Sequence, residues 1–205
     1  AGVDSTCGGT MTGNTFTLQN VSSDCLIAPR FQSSILSGDT LKVVLEEPGA
    51  GIIYSGVGNL RGWSIATVGI EKVEIWIDGA YAFDAPYGGE RGDVGMANPD
   101  FPDSDQSGYA LAWNYSNMTP GEHTITARAY NKNGQYAERT SSFTVARFEK
   151  PFIGASDVVN LDAAQCDVSD AQIWLENATI DEVLYDVRLE WRTSAQNFQI
   201  IEIVQ

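Results

Sequence analysis

Apolar and polar residues alternate with a period of two along most of this 205-residue chain, and helical periodicity is scarce. That pattern predicts an all-β protein. The clearest run, residues 72–78 (KVEIWID), sets Val73, Ile75 and Ile77 on one face and Trp76 on the other. Asp78-Gly79 then reads as a type I′ hairpin turn returning through residues 81–83. Strand-like runs precede it at 41–46 (LKVVLE), 52–56 and 60–66. A glycine- and aspartate-rich excursion spans 86–107, and further runs follow at 109–113, 123–130 and 142–147. Asn133-Gly134 marks a second hairpin turn between the last two.

Seven or eight short strands at this spacing match the immunoglobulin-like count, so residues 41–148 are expected to form an antiparallel β-sandwich. No cysteine lies in that span to supply an inter-sheet disulfide. Residues 1–40 read as a small N-terminal β module, with short apolar pieces at 14–18 (NTFTL), 25–28 (CLIA) and 33–36 (SSIL). Pro29 marks a corner or an edge there, because it cannot donate to a ladder. Residues 149–205 read as a C-terminal β-meander built on 172–176 (QIWLE), 183–191 (VLYDVRLEW) and 198–204 (FQIIEIV).

Leu-Glu-Glu-Pro at 45–48, Gly62-Trp63, the loop with Pro86-Tyr87-Gly88 and Arg91-Gly92-Asp93-Val94, and Gly121-Glu122-His123-Thr124 stand out as motifs. Together they resemble an immunoglobulin-like module of secreted or surface bacterial multidomain proteins. Gly154-Ala155-Ser156, Glu190-Trp191 and Gln196-Asn197-Phe198 extend the resemblance to about residue 200. It implies an exported module that acts through surfaces. The stretch around Cys25-Leu26-Ile27-Ala28-Pro29 is similar to the small stacked β-rungs of bacterial secreted proteins. Some relatives carry a cysteine pair after Gly-Trp and in the long loop; Ser64 and Met96-Ala97 stand at those places here.

Charge narrows the partners. Twelve basic against 27 acidic residues give a net charge of −15, a field that repels phosphate backbones and anionic membranes. Nucleic acid is excluded, and cations, basic proteins and neutral glycans remain. No apolar run reaches the roughly 20 residues of a spanning helix. The Ala1-Gly2-Val3-Asp4 start is what signal-peptide removal leaves, so the expected setting is extracellular or cell-surface. Asn20, Asn114, Asn117 and Asn177 begin N-x-Ser/Thr sequons.

Cys7 and Cys25 flank a short turn-rich segment, where a disulfide would contribute about 3 kcal/mol. Cys166 is then left as a free buried thiol, an intermolecular partner, or an alternative mate for Cys25. Asp100, Asp103 and Asp105 supply hard oxygen ligands suited to Ca²⁺, but the spacing is not that of an EF-hand, and a solvated acidic loop explains them as well. Arg91-Gly92-Asp93 spells an adhesion tripeptide, for which a structural role in bonding loop carbonyls and amides is sufficient. His123, the only histidine, lacks a nucleophile motif and reads as structural. No phosphate loop is present, and a carboxylate pair for glycoside hydrolysis needs a cleft that sequence does not reveal. Trp76, out of phase with the apolar face, reads as an exposed contact or a residue covered by a neighbouring domain or subunit.

The resulting expectation is a non-catalytic structural or adhesive subunit of a surface or extracellular filament. Trp76 and the C-terminal run Phe198, Ile200, Ile201 and Ile203 are its candidate contacts, with self-association or other surface proteins as partners. The alternative is a carbohydrate-binding accessory module.

Overall fold

The computed structural model describes residues 2–6, 9–12, 15–18, 24, 26–30 and 39–205. The chain divides into two compact units, Ala1–Thr40 and Leu41–Gln205. Among its described residues, the first unit carries four short strands, β1 (Gly2–Ser5), β2 (Thr10–Thr12), β3 (Thr15–Thr17) and β4 (Ile27–Arg30). They pair antiparallel as two ribbons, β1 with β4 and β2 with β3. Pro29 sits opposite Val3, in a two-stranded ribbon where every strand is an edge and a missing N–H is tolerated. Cys7 and Cys25, the expected disulfide pair, and residues 33–36 lie outside the described residues.

The second unit opens with nine strands. These are β5 (Leu41–Glu47), β6 (Ile53–Tyr54), β7 (Val57–Ala66), β8 (Ile70–Ile77), β9 (Ala80–Ala85), β10 (Tyr87–Gly89), β11 (Gly108–Asn114), β12 (Gly121–Asn131) and β13 (Tyr136–Val145). One sheet runs β10-β11-β7-β5 and the other β6-β13-β12-β8-β9. Every pairing is antiparallel except the short β6 beside β13. The two sheets close on one core that unites Leu60 and Tyr109 of the first with Val73, Ile75, Ile125 and Phe143 of the second. Alternation dictates that face: Val73, Ile75, Ile125, Ala127 and Ala129 are all fully buried. Each buried valine or isoleucine among them stabilises the fold by about 1.5–3 kcal/mol. The result is an immunoglobulin-like β-sandwich.

Turn chemistry sets the register. Asp78 and Gly79 have φ of 49° and 79°, as the type I′ turn of the β8–β9 hairpin requires. At the β12–β13 turn the buried Asn131 side chain accepts from the amides of Asn133 and Gln135, each at 3.0 Å. Gly62 lies where the first sheet is tightest, since a Cβ there would overlap the Val44 carbonyl and the Tyr109 hydroxyl.

Beyond the sandwich, β14 (Val159–Asn160), β15 (Gln165–Ser169), β16 (Gln172–Ile180), β17 (Val183–Arg192) and β18 (Asn197–Val204) make a third sheet. Ile180, Tyr185 and Val187 centre its own small cluster, joined by Phe148 and Ile153 from the connecting segment and by Ile200 and Ile203 from β18. Lys150 ties that segment down. Its ammonium bridges Asp157, at 2.9 Å, and Asp181, whose carboxylates also accept from the amides of Gly154 and Val158.

Candidate interaction surfaces

The long excursion folds into a latch rather than an open loop. Within it stand β10, a one-and-a-half-turn helix α1 (Gly92–Ala97) and a 3-10 turn at Ser104–Gln106. Sequence periodicity did not reveal α1, because only Val94 of its six residues is buried. Arg91 holds the latch shut. Its guanidinium forks onto Asp93 at 2.8 and 2.7 Å and reaches Glu46 on β5 at 2.9 Å. That fork draws the Asp93 carboxyl down to about 2. The Arg91 side chain therefore bonds Asp93 and β5 instead of loop carbonyls, while the Asp93 carboxylate also accepts from the loop amide of Val94, as expected of a structural role. The Arg91 amide also donates to the Asp105 carbonyl at 2.7 Å.

Asp100, Asp103 and Asp105 are all exposed on this latch. Asp103 takes φ 53° before the 3-10 turn, which explains an aspartate there. Among the described residues, no three His, Cys, Asp or Glu side chains stand close enough together to hold a metal ion.

The outer face of the larger sheet carries a ladder of alternating aromatic and charged side chains. The register sets Tyr81 opposite Trp76, Glu74 opposite Arg128, Arg128 opposite Glu138, and Tyr130 opposite Tyr136. The Arg128 guanidinium lies 4.3 Å over the Trp76 ring and 4.8 Å over Tyr136. Lys72 pairs with Glu74 at 2.7 Å, and the Trp76 indole donates to the same carboxylate at 3.0 Å. Burial alone would raise the Glu74 pKa, but Lys72 and Trp76 outweigh it and hold the carboxyl below its usual range. Trp76 is thus covered by a neighbouring strand of its own sheet, and its stacking face is already occupied. Arg128 was not singled out from sequence; its signal is the cross-strand register, which needs the fold.

His123 faces two acceptors, the Asp78 carboxylate from Nδ1 and the Thr119 carbonyl from Nε2, each at 2.7 Å. It pins the start of β12 to the β8–β9 turn. The Thr119 hydroxyl also lies 3.3 Å from Nε2.

The third sheet has no further strand paired at either side, although β18 lies beside β6 of the sandwich. β18 pairs only with β17, and β15 only with β16. Among the described residues, neither β18 nor β15 makes a backbone hydrogen bond outside those ladders. Of the expected C-terminal contacts, Ile200 and Ile203 pack on the sheet's own cluster, and Ile201 falls at a bulge opposite Arg188 and Leu189. Phe198 is 45% exposed and meets Trp191 edge-on at 5.3 Å. Every residue of β15 is exposed, including the free thiol of Cys166, so the inert buried form does not apply.

A groove of about 1010 Å³ runs between residues 52–59 of the sandwich and residues 192–200 of the third sheet. Phe152, 71% exposed, and Phe198 supply its aromatic surface. Sequence inspection passed over it because its walls lie more than a hundred residues apart.

These sheets and their turn chemistry define an immunoglobulin-like module. Comparison with known proteins agrees: residues 42–127 match the family described as Bacterial Ig domain. No curated protein matches the chain. Among solved structures, the fibronectin(III)-like modules of Clostridium thermocellum CbhA align at 18% identity and a TM-score of 0.34, covering 52% of this chain and 98% of that one. An endo-beta-1,4-mannanase from Thermotoga petrophila aligns at 13% identity and TM-score 0.40, over 57% of this chain and 22% of the enzyme. CopC from Methylosinus trichosporium OB3b aligns at 17% and 0.33, over 53% and 98%. No helix among the described residues is long and apolar enough to cross a membrane.

Proposed function

We propose that the chain is a non-catalytic structural or adhesive module of an exported protein, and that copies of it associate by β-strand addition. The observation that supports this reading is the third sheet with two unpaired edges, β18 on one side and β15 on the other. Unpaired N–H and C=O groups along an edge are a template for another strand. Addition of β18 from one copy to β15 of the next uses two different surfaces, so the contact propagates into an open filament instead of closing a dimer. The acidic composition, −15 over 205 residues, suits an exported chain and keeps association dependent on screening salt.

Cys166 provides the readout. It lies exposed on β15 and would be covered when a neighbour's strand docks there. Maleimide labelling of Cys166 is expected to slow as protein concentration rises, and to stay fast in a Val204→Lys variant that places a charge on β18. Labelling that is fast at every concentration would count against strand addition.

A further inference from the structure

We propose that the groove between residues 52–59 and the first half of β18 binds a neutral oligosaccharide. Its volume, about 1010 Å³, is at the upper end of small-ligand clefts. Its charge is decisive. Five charged residues line it, and each already has a counter-ion within the chain: Glu46 with Arg91 at 2.9 Å, Glu47 with Arg61 at 2.8 Å, Lys150 with Asp157 at 2.9 Å, and Arg192 with Glu190 at 3.1 Å. These charges are already balanced within the chain, and an anion would also meet the repulsion of a chain at −15.

What remains unengaged is polar: the Nε of Arg192, buried without a partner, and three neutral side chains. The side-chain amides of Asn59, Asn197 and Gln199 line the groove and make no hydrogen bond within the described chain. Each amide offers two donors and one acceptor, which complements hydroxyl groups that donate and accept at once. Phe152 and Phe198 also line the groove with exposed rings, apolar surfaces on which the C–H face of a pyranose can rest. Hydrogen-bonding amides and exposed rings in a groove whose charged side chains are paired suit neutral sugar recognition better than phosphate, metal or nucleic acid.

The test is an NMR titration of the ¹⁵N-labelled chain with cellohexaose, xylohexaose and mannohexaose, and with hexagalacturonate as the charged counterpart. At least one neutral hexasaccharide is expected to shift the side-chain NH₂ signals of Asn59, Asn197 and Gln199 saturably. Phe152→Ala and Asn59→Ala, both at exposed positions, should each weaken that binding by about tenfold. Val204→Lys should leave it unchanged, which separates this site from the self-association edge. The proposal is overturned if no neutral hexasaccharide binds saturably, if hexagalacturonate binds as tightly, or if both groove variants bind like the parent.

Discussion

Removal of one hydroxyl tests how the first sheet is held. Tyr109 is 1% exposed and donates to the Val44 carbonyl at 2.7 Å, across the strand from Gly62. Tyr109→Phe keeps the ring and its packing but leaves that carbonyl without its side-chain donor in a largely buried site. An orphaned buried acceptor costs about 1–3 kcal/mol. For a chain of this size each kcal/mol moves the melting temperature by about 2–4 °C, so a loss near 6 °C is expected. Urea titration should show a lower midpoint with an unchanged slope, since the surface exposed on unfolding is the same. Tyr136→Phe is the control: that residue is 56% exposed, and its stability should stay within about 0.5 kcal/mol of the parent. A Tyr109→Phe protein as stable as the control would refute the buried-bond reasoning.

Three further outcomes follow from the same geometry. Gly62→Ala should be far more damaging than Tyr109→Phe, because the new Cβ meets a backbone carbonyl that cannot rotate away; failure to recover folded protein, or a large fall in midpoint, checks it. Burial pushes the Tyr87 hydroxyl up to about 12 and those of Tyr109 and Tyr115 further, so the unfolded chain ionises first as pH rises. Their stabilisation is therefore complete below about pH 10 and is lost above it, and urea midpoints measured from pH 8 to 12 should fall only in the upper half of that range. Arg128→Ala should uncover Trp76 and shift tryptophan emission to the red, while an unchanged spectrum would mean the guanidinium does not cover the ring.

Much of the sandwich was legible because its strands are half-buried and alternate cleanly. Val73 and Ile75 point inward as their spacing implied, and Asp78-Gly79 adopts the two positive φ values that its sequence demands. The strand at 142–147 was read too short. β13 begins at Tyr136, where exposed polar and aromatic residues hide the period. The run at 52–56 yields only Ile53–Tyr54, in parallel with β13, because Gly56 turns the chain at φ 65°. Helix α1 escaped because six residues with one buried side chain carry no periodic signal. The candidate surfaces were less legible still. Trp76 was visible as out of phase, but its cover, Arg128, comes from a strand about fifty residues away. The groove depends on residues 52–59 and 192–200 facing each other across the unit, and no local pattern encodes that.

Sedimentation velocity over a range from micromolar to near-millimolar protein, at physiological salt, tests the central claim most directly. Strand addition at the open edges of the third sheet predicts species that grow past the 22.2 kDa monomer as concentration rises, and a Val204→Lys chain that stays monomeric. A parent chain that sediments as a monomer throughout, or a Val204→Lys chain that assembles equally well, would contradict it.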